Sequence, residues 1–283
     1  MRCKALLSLT ADGLSAGLRL VRAPDWFMPI MGGLIGMAWI ALFLWEQSPY
    51  GRYLEHGRWT DIGLAAAICR ALPAGQVLLP MLLYTVGWLL MLAAMMLPTT
   101  LSLLQQFRRM VNARPDRVGL LTLLIAGYML AWVVFGVVAH ALDAALHVIA
   151  RQSTWLLLHG WLIGAAILLI AGAFQFSRLK YRCLDRCRTP LSFIAAHWRG
   201  VRPQHDAFRL GVGHGVFCVG CCWAIMLLMF VVGTGNVGWM LLLGAVMAIE
   251  KNAPWGRQLG RPLGVALIGW ATLIVVGNLA LSF

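Results

Sequence analysis

Residues Gly213 to Leu228 read GHGVFCVGCCWAIMLL, and three cysteines and a histidine fall within nine residues of an otherwise apolar run. On a helix turning about 100° per residue, with His214 at zero, Cys218 lies near 40°, Cys221 near −20° and Cys222 near 80°. Met229 follows near 60°, so one face carries the soft donors. His214 and Cys218, four residues apart, stand on adjacent turns and can reach one ion. Thiolate, thioether and imidazole together select Cu(I), Zn(II) or related soft ions and suit magnesium or calcium badly. The competing reading is packing, because cysteine also behaves as a small hydrophobe between helices. The vicinal Cys221–Cys222 pair does not easily close an unstrained disulfide, which makes thiol redox chemistry the weaker functional variant.

Four further sets carry potential chemistry. In LKYRCLDRCRTP, Cys183 and Cys187 stand four residues apart in the most basic stretch, where Arg182, Arg186 and Arg188 favour the thiolate. Two thiolates do not complete a tetrahedral site, so this pair reads as an acceptor or relay, or as reduced thiols on a helix extension. In GWLLMLAAMMLPTT, Met91 and Met95 share a helix face. Such methionines mostly pack, but beside a Cys/His helix their thioethers become Cu(I) ligands. His140, Asp143 and His147 share one face and could capture a hydrated divalent ion, or simply form a solvated helix end. Glu250, next to Lys251, is an acid near membrane depth; it either carries function or anchors its helix through the neighbouring lysine.

Elements that position these residues follow from composition. The chain has 283 residues, 61% hydrophobic and only 12% charged, where soluble domains carry roughly a quarter charged residues. Several uncharged stretches of about 20 residues are long enough to cross a bilayer as helices. Alternating patterns are lacking, which argues against a β-barrel. The expected fold is all-α, a polytopic transmembrane bundle of about seven helices: 27–45, 77–97, 120–139, 155–176, 210–232, 237–250 and 263–281. Pro98 is expected to close the second. Residues 1–24 read as an amphipathic segment on the inner leaflet, and 25–283 as a single transmembrane domain.

The net charge of +13 sits in loops between apolar runs. It therefore reports orientation and contact with anionic lipid, and nucleic acid is not an expected partner. Arginines and lysines gather in the second-to-third and fourth-to-fifth connections, after the sixth helix and at the N-terminus. Basic loops resist translocation, so these face the cytoplasm of a bacterial inner membrane, while the His140–Thr154 connection faces outward. Seven cysteines without a long hydrophilic domain do not form a secreted disulfide framework. Phosphate-binding loops, nucleophile elbows and zinc-protease motifs are lacking, which leaves hydrolases and nucleotide-driven pumps without support.

The blocks Trp88, Met91, Ala94, Met95, Met96, Pro98; Gln175, Leu179, Lys180, Cys183, Leu184, Cys187, Arg188, Pro190; Gly211, Gly215, Cys218, Gly220, Cys221, Cys222, Trp223, Met226; and Trp239, Met240, Glu250, Lys251 resemble, in this order, the bacterial DUF2182 family. That family is described as predicted metal-binding integral membrane proteins, and the resemblance implies metal binding without naming the ion. Phe176, Ser177 and Arg178 stand where Leu-Thr-Pro is expected, and the missing proline predicts a fourth helix running on towards Cys183.

The leading expectation is a protein that binds a soft metal, Cu(I) first, and moves it across the membrane or delivers it. Cys218, Cys221, Cys222 and His214 would bind the ion, Met91 or Met95 would relay it, and a metallochaperone or periplasmic cuproprotein would be the partner. The alternatives are zinc as the ion, a thiol or haem redox protein, and a structural or assembly subunit whose cysteines only pack.

Overall fold

In the computed structural model the described residues are 26–48, 78–233 and 236–280. They are all-helical: α1 (Phe27–Glu46), α2 (Leu78–Met110), α3 (Arg117–Gln152), α4 (Thr154–Leu158), α5 (Trp161–Phe174), α6 (Arg178–Arg188), α7 (Pro190–His197), α8 (Pro203–Val232), α9 (Val237–Asn252), a 3₁₀ turn (Gly256–Leu259) and α10 (Gly260–Ala280). The segment 1–24 and most of the loop after α1 lie outside the described residues.

Among the described residues five helical stretches are long and apolar enough to cross a membrane, at 27–46, 85–110, 117–150, 203–232 and 256–280. A sixth arises if α5 and α6, bent by 63° at their junction, are counted as one. Among the described residues the count is therefore five or six, not the expected seven. One expected span, α9, is only 16 residues long. The expected fourth span is interrupted at His159–Gly160 and again at Gln175–Ser177.

Several helix ends differ from expectation, each for a local reason. α2 runs through Pro98 to Met110. The proline removes the intrahelical donor to the Ala94 carbonyl without ending the helix, and in the same turn the hydroxyls of Thr99 and Thr100 donate to the carbonyls of Met96 and Leu97 at 2.7 and 3.0 Å, so both are paired. α3 continues to Gln152, so His140, Asp143 and His147 lie within a helix and not in a connection; no Pro or Gly interrupts residues 140–152. α8 begins at Pro203, seven residues before Leu210, because proline at the first helical position needs no donor. The fourth helix does not run on past Phe174. Ser177 accepts the Lys180 amide at 3.1 Å and starts α6 as a new helix.

The core is built around α8, whose largest interface is with α3, followed by α6 and α5. α10 packs on α5, while α2 takes α9 and α1. Outward faces are apolar, with Val137, Val265 and Leu273 all more than 60% exposed. Polar side chains go inward: Gln175, Lys180, His214, Glu250 and Lys251 are buried.

Candidate metal centre

Backbone approach comes first. A Cβ on Gly211 would strike the Leu124 carbonyl, and one on Gly215 would stand 2.7 Å from the Ala131 Cβ, so α8 and α3 meet almost backbone to backbone. On another side of α8, a Cβ at Gly220 would lie 2.7 Å from Cys183 Sγ. The missing side chain there is what lets α6 lie against α8.

That contact overturns the expectation of Cys183 and Cys187 in a basic loop. Both are buried on the inner face of α6, because the bend at Ser177 turns the helix onto α8. Arg182 and Arg186 remain on its outer face. Arg188 turns instead to the end of α9, donating to the carbonyls of Glu250, Ala253 (2.8 Å) and Pro254 (3.0 Å). This closes open carbonyls at a helix C-terminus with a cation, a favourable pairing.

Cys183, Cys187, Cys218, Cys221 and Cys222 are free thiols and share one buried core. Cys187 Sγ lies 4.0 Å from Cys221 Sγ, and Cys221 Sγ lies 3.5 Å from Cys222 Sγ. The Cys221 thiol also donates to the Cys218 carbonyl at 3.2 Å. Among the described residues no three Cys, His, Asp or Glu donors surround a common point in a way that holds an ion. Cys221 is shared between both sulfur contacts, so the thiols form a connected chain. With metal–sulfur bonds of about 2.3 Å, two thiolates on one ion stand roughly 3.8 Å apart at a tetrahedral angle and roughly 4.6 Å apart when linear. The Cys187–Cys221 separation falls between these limits.

Cys218 has a different environment. Tyr128 OH lies 3.0 Å from its sulfur and Lys251 Nζ 2.7 Å. Lys251 also donates to Thr99 Oγ1 at 3.2 Å, and Tyr128 OH donates to the Met96 carbonyl at 3.3 Å. Three helices (α3, α8 and α9) therefore meet at one sulfur, and α2 joins them through Thr99 and Met96. Tyr128 and Thr99 carry no motif of their own. Lys251 alone had a signal, a lysine in an apolar helix, which on sequence grounds reads as a partner for Glu250.

Glu250 pairs elsewhere. Its Oε1 lies 2.6 Å from Lys180 Nζ with both side chains at 1% exposure or less. Lys180 also donates to Gln175, whose own amide donates to the Ala171 carbonyl at 3.1 Å. The second Glu250 oxygen is buried without a partner among the described residues. This pair ties the start of α6 to the end of α9.

The remaining candidates separate. His214 is buried with its ring beside those of Tyr128 and Phe193, at centroid distances of 6.0 and 5.5 Å, and its Nδ1 has no partner among the described residues. Met91 and Met95 are buried in the core that holds the cysteines, and Met95 lies over Gly244 of α9. His140 and Asp143 lie in the far part of α3, with Asp143 buried; the His147 side chain lies outside the described residues.

The fold and site thus define a class: an all-helical bundle with helices of membrane length and thiols in its core. The copper chaperone family PpoB2 matches residues 85–274, and the chain belongs to that family. The match takes in all five described cysteines, Lys180, Glu250 and Lys251. Membership of a metal-related family agrees with the resemblance seen in the sequence, and it ties the chain to copper. No curated protein and no solved structure matches the chain.

Proposed function

We propose that this protein is a bacterial inner-membrane copper chaperone that takes Cu(I) as cargo on core thiolates and hands it to a protein partner. The family supports copper, and the outward apolar faces with inward charges support a bundle set in lipid. In this reading residues 25–283 form one transmembrane domain, and residues 1–24 rest on the inner leaflet. The N-terminus and the basic segments face the cytoplasm. A cytosolic metallochaperone would supply the ion, and a periplasmic cuproprotein would receive it.

One observation carries the ligand assignment: Cys187 and Cys221, on different helices, bring their sulfurs to 4.0 Å in a buried core. Cu(I) is satisfied by two thiolates, whereas a structural Zn(II) site wants four donors. Cys218 and Cys222 stand beside this pair as exchange partners, and the buried methionines Met91 and Met95 offer thioethers further along the bundle. An ion held by two sulfurs with others in reach can be passed on by ligand exchange.

The test is anaerobic titration of the purified full chain in detergent with Cu(I) against a chromophoric chelator. One tightly held Cu(I) per chain is expected in the native protein. Cys187→Ser and Cys221→Ser should each lower affinity by at least about tenfold, the loss of one strong ligand. Unchanged affinity in both variants, or isolation with zinc or haem in place of copper, overturns the assignment.

A further inference from the structure

The two sulfurs assigned to the cargo are closed to solvent, with Cys187 4% exposed and Cys221 1%. Transfer by ligand exchange needs an incoming donor to reach the ion, so one of the two has to move. Cys221 lies in the 30-residue α8, which meets α3 backbone to backbone at Gly211 and Gly215. Cys187 lies in α6, which is only 11 residues long, with Ser177 in extended backbone before it, non-helical Thr189 after it and Pro190 barring its continuation. Element-terminal residues of this kind absorb the dihedral changes of a hinge. Both ends of α6 are fastened to one residue of α9. Lys180, in the first turn, meets the Glu250 carboxylate at 2.6 Å. Arg188, the last residue, donates to the Glu250 carbonyl and to those of Ala253 at 2.8 Å and Pro254 at 3.0 Å. Arg188 directly follows Cys187, so these bonds fix the turn that carries the sulfur.

We infer that Arg188 is a positioning residue for the Cys187–Cys221 pair and that α6 is the gate through which cargo is exchanged; the inference rests on the copper reading above. With its carbonyl bonds made, Arg188 holds Cys187 at 4.0 Å from Cys221. When they break, the end of α6 swings about Ser177, while the Lys180–Glu250 pair near that hinge keeps its start in place. Cys187 then leaves α8, Cys221 stays behind, and the ion is open to a partner's donor. The two fastenings differ in a way that sets this order. Lys180 and Glu250 are fully buried, whereas Arg188 is only partly buried and its bond to Pro254 is exposed. Helix α6 therefore opens from the end that water reaches. A lysine at 188 keeps the charge but offers one nitrogen in place of the guanidinium fork.

The experiment compares native protein, Arg188→Ala, Arg188→Lys and Arg186→Ala in detergent, the last removing a cation from the exposed outer face of the same helix. Circular dichroism and thermal unfolding serve as the folding control. Metal-free protein is labelled with a water-soluble maleimide, and mass spectrometry reads the rate at each cysteine. Arg188→Ala is expected to speed labelling of Cys187 roughly tenfold, the order of one hydrogen bond from a charged group, with Cys221 unchanged. Release of bound Cu(I) to a chelator should quicken by a similar factor. Arg188→Lys should fall between, and Arg186→Ala should match the native protein. Unchanged Cys187 labelling in folded Arg188→Ala overturns the inference. So does an equal rise at Cys187 and Cys221, which is general loosening, or an equal effect of Arg186→Ala. Should Arg188→Ala not fold, hydrogen exchange on the native protein decides: amides of α6 exchanging faster than those of α8, and slowed by Cu(I), support the gate, and equal rates overturn it. Native protein that binds no Cu(I) removes the copper reading, while labelling of the metal-free chain still tells whether Arg188 holds α6.

Discussion

Lys251 Nζ stands 2.7 Å from Cys218 Sγ, although the two residues come from different helices and both side chains are buried. The preceding residue, Glu250, turns to Lys180 on a third helix at 2.6 Å. Consecutive residues on a helix point about 100° apart, so neighbours in sequence serve different partners in space. The Glu250–Lys251 dipeptide is therefore two devices: one fastens α6 to α9, and the other faces the thiols.

The fastening device predicts a large stability effect. Glu250→Ala or Lys180→Met leaves an unpaired buried charge and should cost about 3–5 kcal/mol. The double substitution Lys180→Met with Glu250→Leu should recover much of that loss, since two apolar side chains need no pairing. Thermal unfolding in detergent measures all three. Single variants within about 1 kcal/mol of the native protein, the range of exposed pairs, would count against the pair's role.

Close helix approach gives a graded prediction. A Cβ at Gly211 meets the fixed Leu124 backbone, whereas one at Gly220 meets the Cys183 side chain at 2.7 Å. Gly211→Ala should destabilise by about 1–3 kcal/mol through overpacking. Gly220→Ala should cost less, and adding Cys183→Ala should relieve it. Unfolding midpoints in a double-mutant cycle check the coupling.

Sulfur positions predict which cysteines cross-link. With Cys187 and Cys221 at 4.0 Å, mild oxidation by diamide should join these two, linking α6 to α8. Peptide mapping by mass spectrometry identifies the bond, and preloading with Cu(I) should suppress it. A dominant Cys183–Cys218 link would contradict the geometry.

Aromatic packing predicts a mild phenotype at His214. Its ring sits beside those of Tyr128 and Phe193, so His214→Phe should keep Cu(I) affinity within about threefold, less than the loss of a ligand. Loss on the scale of Cys187→Ser would make the histidine a ligand after all.

At the turn between α2 and α3, pH dependence has a definite sign. Arg114 donates to both Asp116 oxygens at 2.8 and 2.9 Å and holds that carboxyl below its ordinary value. A lowered carboxyl contributes stability above the unfolded value of about 3.9 and loses it as pH falls through the lowered one. The melting-point difference between native protein and Asp116→Asn should therefore be small at pH 7, since the pair is exposed, and should shrink below pH 4.

Much of the helical architecture is legible in the residues themselves. Long uncharged stretches leave helices as the available solution, and helical periodicity puts Cys218, Cys221 and Cys222 on one side of α8. Helix ends were less legible, because they depend on single groups. α2 continues past Pro98 with the Thr99 and Thr100 hydroxyls paired within the turn, and the Ser177 hydroxyl starts a new helix where a missing proline suggested continuity.

Composition and periodicity thus determined the class of structure and the helix that carries the thiols, because both follow from local properties of the chain. Only the tertiary structure decided the partners. Cys187 reaches Cys221 because α6 bends back across Gly220, and Lys251 reaches Cys218 because α9 packs where α2, α3 and α8 converge. Such pairings join residues 34 and 33 positions apart. They depend on how backbones approach and on which way each helix is turned, and no spacing within a single helix encodes that.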